Sequence, residues 1–215
     1  DSYQDISANN SFLRFKGAED LGGGLKAIWQ ATAVVRVDGT GIPFDRNTFV
    51  GLKGDWGQVR MGRHETPYKM VGRKVDLFGN RQLGENRILT TPVANGRPGP
   101  SPQWSWDKRP SEGLHYISPS MSGFSVGVAY MPEGISGGLD DSDAWSLAGV
   151  YANGPLYLGV GYETMGENYP GVTGTNEPSS WRLSGSYKFG GGFRVTGLYQ
   201  GVDDACFEKA EEYRQ

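Results

Sequence analysis

Nowhere in the chain do roughly 18 apolar residues run together, so no segment can cross a membrane as a helix. Aliphatic residues are sparse for a length of 215: only 37% of residues are hydrophobic, and mean hydropathy is −0.50. There is one cysteine, Cys206, which excludes an internal disulfide framework. With two histidines, His64 and His115, the means for a histidine-based catalytic or metal site are slight. The formal charge of −3 argues against a nucleic-acid partner. Glycine, by contrast, is abundant at 34 residues, and aromatics make up 12%. Many short strands with one apolar and one polar face fit that balance. Transmembrane strands need only about 9–11 residues with alternate positions apolar, so low hydropathy does not exclude a membrane barrel.

Alternation predicts ten strands. The opening polar residues read as loop and carry no signal-peptide pattern, and both ends read as cut. SFLRFKG puts Leu13 and Phe15 opposite Arg14 and Lys16, and residues 18–24 (AEDLGGG) read as a tight turn. LKAIWQAT, NTFVGLKG, VRMGR, GLHYIS, FSVGVAY, WSLAGVY, LYLGVGYE, SWRLSGSYKF and FRVTGLYQ follow. Connections alternate between short and long, the rhythm of outer-membrane barrels rather than of Greek-key sandwiches. Aromatics recur near strand ends (Trp29, Trp56, Tyr130, Tyr151, Tyr187, Phe189, Phe193), as interfacial girdles require. One connection, residues 66–108, is far longer than the rest and shows no sustained strand or helix period. Its apolar residues, among them Tyr68, Met70, Val75, Leu77, Trp104 and Trp106, must be buried, so it reads as a loop packed inside a barrel that narrows a pore.

The stretches FLRFKGAEDLGGGLKAIWQ (12–30), RNTFVGLKGDWGQVRMGRHETP (46–67), VDLFGNRQLGENR (75–87) and RPSEGLHYISPSMSGFSVGVAY (109–130) resemble the general porins of Gram-negative outer membranes, in their betaproteobacterial and neisserial branch. The resemblance implies an all-β transmembrane antiparallel barrel of about 16 strands with a third loop folded into the lumen. It also implies a homotrimer among outer-membrane lipid and lipopolysaccharide, and passive diffusion of ions and small hydrophilic solutes without catalysis, metal or cofactor. The first strand and the strands after the eleventh are not represented, so the chain reads as the interior part of a longer one.

By alternation the pore-facing basic residues are Arg14, Lys16, Lys26, Lys53, Arg60, Arg182, Lys188 and Arg194, with Glu163 the main opposing acid. The resemblance nominates Arg63 and Arg109 for the constriction, with Asp76 and Glu85 as the carboxylates opposite. Alternation would turn Arg63 outward with Val59 and Met61 unless a bulge at Gly62 reverses it. Residues 66–108 carry seven basic side chains against three acidic, which predicts anion preference. Rim loops hold the balancing acids, including Asp140, Asp141 and Asp143, a solvated cluster or a weak divalent-cation site. GISGG (134–138) fits G-x-S-x-G formally but has no helix pattern after it. The competing class is a soluble or surface carbohydrate-binding β-module, in which Leu13, Phe15, Trp29, Val126, Tyr151, Leu158, Leu183 and Val195 would form a closed core; a porin turns them outward.

Overall fold

The computed structural model describes residues 11–35, 44, 46–78, 93–94, 97–98, 106–107, 109–132, 142–167 and 177–203. Ten strands form one antiparallel sheet in chain order: β1 (Phe12–Gly22), β2 (Leu25–Val34), β3 (Thr48–Gly54), β4 (Gly57–Arg63), β7 (Gly113–Ile117), β8 (Phe124–Pro132), β9 (Asp143–Asn153), β10 (Leu156–Met165), β11 (Ser179–Lys188) and β12 (Arg194–Asp203). Between β4 and β7 lie a short helix, α1 (Pro67–Arg73), and a two-residue hairpin, β5 (Val93–Ala94) with β6 (Arg97–Pro98). The ten predicted strands are all present. Residues 18–21 are not turn, however. β1 runs on to Gly22, because Glu19 and Asp20 keep the alternation and Asp20 faces Lys26 across the ladder, before the register shifts between Asp20 and Gly22.

Neighbouring strands meet through tight turns at one edge and through long connections at the other. Register fixes which residues share a face. One rung runs Ala18, Ile28, Gly51, Arg60, His115, Ala129, Ser146, Glu163, Ser180, Val202. Stepping by two along each strand puts Arg14, Lys16, Lys26, Lys53, Arg182, Lys188 and Arg194 on that same face.

The opposite face is apolar and bare. Leu13, Phe15, Trp29, Val126, Leu158, Leu183 and Val195 are 42–56% exposed, and Tyr151 is half-buried. Among the described residues no closed core covers them. Aromatic pairs border this surface: Phe124 with Tyr151, and Tyr187, Phe189 and Phe193, towards the tight turns; Tyr130 with Trp145, and Trp181 with Tyr199, towards the long connections. Phe124 and Tyr130 stand about 20 Å apart along β8 at a strand's rise per residue, near the height of a barrel's apolar band.

The buried apolar cluster lies on the other face: Tyr68, Trp106, Met131, Ala144 and Met165, gathered where α1 packs on β8, β9, β10 and β11. The wall beneath α1 is lined with small residues for a steric reason. A Cβ on Gly161 would stand 3.1 Å from the Tyr68 ring, one on Gly159 would stand 2.9 Å from Val71, and one on Gly127 would stand 3.2 Å from Pro67. Glycine at these three positions lets the helix approach the sheet closely.

Candidate pore constriction

A helix of seven residues is too short to be stable by itself, and α1 is held by its ends. Thr66 caps it, accepting a hydrogen bond from the Lys69 amide, and Pro67 starts it with a pre-set φ. The amide of Tyr68, which has no partner within the helix, donates to Ser146 Oγ at 3.0 Å. At the other end the Val71 carbonyl accepts from Tyr157 and Ser184 hydroxyls, both at 3.2 Å, and the Lys74 carbonyl accepts from Arg194 at 2.5 Å. Four strands therefore satisfy the helix termini. The expectation of no regular structure in 66–108 fails here. Its signal was Thr66-Pro67, a cap and first-turn pair on a segment too short to show periodicity.

Under the helix the Tyr68 hydroxyl bonds Ser180 Oγ at 2.6 Å, and burial pushes the phenol up to about 12, so it stays protonated. Arg182 is fully buried. Its guanidinium stacks on Tyr68 at 4.2 Å, donates to Asp107 Oδ1 at 2.9 Å, and donates to Gln200 Oε1 at 2.8 Å. Arg182 and the fully buried Glu163 thus share the expected face without standing in open lumen; both lie in the seat of α1. Lys69 donates to the Asp107 carbonyl at 2.8 Å and is held down chiefly by burial. Asp107 therefore ties the far arm of the connection both to the helix and to the wall.

Beside the N-terminus of α1 a single carboxylate gathers the cations. Glu65 pairs with Arg73, with Arg109 at 2.7 Å, and with Lys69 at 4.0 Å. Burial would raise Glu65, but the charges of Arg73, Lys69 and Arg109 outweigh it and hold the carboxyl below the ordinary range. Arg109 also donates to Asn47 Oδ1 at 2.7 Å. The carboxylates nominated for this position were Asp76 and Glu85. Asp76 instead follows the helix and accepts from the Phe78 amide at 3.0 Å, while Glu85 lies outside the described residues. Glu65 was missed because...RHETP... offers it as an ordinary polar residue; nothing local marks its partners eight and 44 positions away.

Arg63 reaches the other nominated arginine without a bulge. Pairing runs unbroken from Gly54↔Gly57 to Thr48↔Arg63, so no residue is inserted at Gly62, although Gly62 has φ +122°. Arg63 stays in step with Met61 and reaches sideways to Ser111 Oγ at 2.9 Å and the Arg109 carbonyl at 3.4 Å. Arg60 is placed differently, over the Phe49 ring at 4.7 Å and bonded to His64. Arg14, Lys16 and Lys53 lie away from α1, on β1 and β3, on the same face. Among the described residues no group of three or more His, Cys, Asp or Glu side chains is arranged to hold a metal. Residues 134–138, Asp140, Asp141 and Cys206 lie outside the described residues, and Asp143 begins β9.

The Gram-negative porin family model matches residues 1–213. The chain belongs to that family. The porin-type barrel is its fold and the outer membrane its location. It is 31% identical over 201 residues to outer membrane porin protein 32 of Delftia acidovorans, covering 90% of this chain and 54% of that protein. To the major outer membrane protein P.IB of Neisseria gonorrhoeae it is 32% identical over 139 residues, covering 64% of this chain and 37% of that protein. Among solved structures it superposes on an anion-selective porin from Comamonas acidovorans with a TM-score of 0.70 at 26% identity, over 89% of this chain and 57% of that one. The chain thus spans about half the length, or less, of the curated relatives it matches. The carbohydrate-binding alternative falls, both on the family and on the bare apolar face that a sandwich would have buried.

Proposed function

We propose that the protein forms a water-filled outer-membrane channel for passive diffusion of ions and small hydrophilic solutes, preferring anions, with α1 and the rest of residues 66–108 as its constriction. The observation that carries this reading is the charge on the face bearing α1. Lys69, Arg73 and Arg109 converge on the carboxylate of Glu65, with Arg60 nearby and Arg14, Lys16, Lys26 and Lys53 along β1–β3. In a narrow aqueous passage with low-dielectric walls such a surplus enriches anions. The face of β1–β3 turned away from α1, with Leu13, Phe15, Trp29, Val50 and Leu52 exposed, suits a homotrimer contact, and the aromatic-bordered remainder suits lipid and lipopolysaccharide. The channel does no chemistry and needs no cofactor: size and field at the narrow section do the selecting. The test is the reversal potential across a salt gradient in planar bilayers. Anion preference that weakens in R109A and R73A supports the reading; cation preference unchanged by those substitutions overturns it.

A further inference from the structure

The His64 ring is wedged between a group that can only accept and one that can only donate. Its Nδ1 lies 2.8 Å from the Glu65 carbonyl oxygen, so Nδ1 carries the proton. Its Nε2 bonds the Arg60 guanidinium, so Nε2 offers its lone pair. The Nδ1 contact survives protonation, whereas the Nε2 contact requires the neutral imidazole. The ring is buried, edge-on to Phe49 at 5.2 Å and to His115 at 5.1 Å. The guanidinium it holds is folded back over Phe49 at 4.7 Å rather than extended from the strand.

We propose that His64 is a positioning residue for the pore's field: neutral, it latches Arg60 against Phe49; protonated, it releases that guanidinium into the passage and sets a second cation beside it. The inference rests on the channel reading above. The proton comes from solvent and lands on Nε2; the Arg60–His64 hydrogen bond is lost, and no covalent bond changes. The ionisable groups facing the ring are Arg60 from β4, Glu65 from its own segment, Arg109 from the segment before β7, and His115 from β7; β3 contributes only uncharged Phe49. Burial and Arg60 push the imidazole down to about 4, against the carbonyl and charge of Glu65. The latch is therefore closed at neutral pH and opens in acid.

The test follows the anion-to-cation permeability ratio of the native assembly in planar bilayers from pH 7 to pH 3.5, each protein normalised to its own pH 7 value. Carboxylates that titrate in the same window raise the ratio in every variant, so the difference between wild type and H64Q isolates the latch. The glutamine amide can donate to the Glu65 carbonyl and accept from Arg60, but does not titrate. The wild-type ratio is expected to rise about twofold more than that of H64Q, the size expected for a unit charge acting through several Å of water. H115Q keeps the extra rise. Coincident wild-type and H64Q curves overturn the proposal, as does an extra rise that vanishes in H115Q. Should H64Q fail to assemble, R60Q decides: an undiminished rise overturns the proposal, and a reduced one supports it. A pore that prefers cations at pH 7 overturns the channel reading itself, whereas an anion-preferring pore with coincident curves defeats only the role of His64.

Discussion

The face that carries α1 is built in two ways. Along β1–β3 it bears Arg14, Lys16, Lys26 and Lys53, long side chains left uncovered. Along β8–β11, around the buried Arg182 and Glu163, it bears Gly127, Ala129, Ser146, Gly159, Gly161, Ser180 and Ser184, short side chains roofed by the helix. The same alternation therefore produces a bare charged wall and a padded one. Size decides where the loop can land, since only the padded wall admits a helix backbone. Hydroxyls decide how it is held, since serines can cap a helix without occupying its space. The charged wall is left free to act on whatever passes. Substitutions on the padded wall should move the loop, and substitutions on the bare wall should move only the field.

The largest effect is expected at the buried pair beneath the helix. D107N leaves the fully buried Arg182 without its carboxylate, a loss of about 3–5 kcal/mol, and R182M, which leaves Asp107 the charge of Lys69, acts in the same direction. The loss falls on the docking of α1 rather than on the strand ladder. Single-channel conductance should rise, and residues 66–108 should become open to protease while the barrel stays heat-resistant. Next come the glycines. G161V or G159V pushes atoms into Tyr68 or Val71, an overpacking cost of about 1–3 kcal/mol with the same readouts, weaker. Nothing lies within 4 Å of a Cβ on Gly197, on the opposite face, so G197A should leave conductance unchanged.

Acid should loosen the helix at its N-terminal end. Glu65 is held below the ordinary carboxylate range, so its contribution is present above that range and is lost as pH falls through the folded value. His64 is held neutral down to about 4, whereas an unfolded histidine protonates near 6.5, so its contribution is lost between those values as pH falls. Both act in the same direction. Protease sensitivity of the α1 segment should therefore increase from pH 7 towards pH 4. E65Q should raise it at pH 7 by the equivalent of about 1–2 kcal/mol, since the exposed Arg73 partner is partly screened.

Most of the bare wall was legible in the sequence and most of the padded wall was not. Period-two alternation in FLRFKG or SWRLSG states sidedness outright, and glycine-rich turns state where strands end. The seat of α1 depends on Tyr68 meeting Ser146 and Ser180, residues 78 and 112 positions away. The Asp107–Arg182 pair spans 75. No local pattern encodes those meetings, because each residue is individually ordinary. A serine on the polar face of a strand looks the same whether it faces water or caps a helix. Arg63 teaches the converse. Its nomination rested on resemblance and called for a bulge at Gly62; the ladder runs through Gly62 unbroken, with φ +122° there, and Arg63 still reaches Arg109.

The smallest effect, and the one that tests the bare wall most directly, is expected at Lys53. Lys26 and Lys53 stand directly opposite across β2 and β3, a like-charged pair that lowers sheet stability. Asp20 faces Lys26 from the other side and offsets part of the repulsion. Folding alone would favour a neutral residue at 53. K53Q should therefore leave the protein as stable as wild type or slightly more so, with conductance unchanged because α1 does not rest there. Its anion preference should fall by a modest fraction at about 0.1 M salt, where a charge reaches roughly 10 Å, and hardly at all at 1 M, where it reaches about 3 Å. Reversal potentials at the two salt concentrations, with thermal unfolding of the same preparations, separate the possibilities. Stability up and selectivity down marks a lysine whose place is explained by the field and not by the sheet. If both fall together, or if selectivity is lost equally at 1 M, Lys53 holds structure and the division between the two walls breaks down.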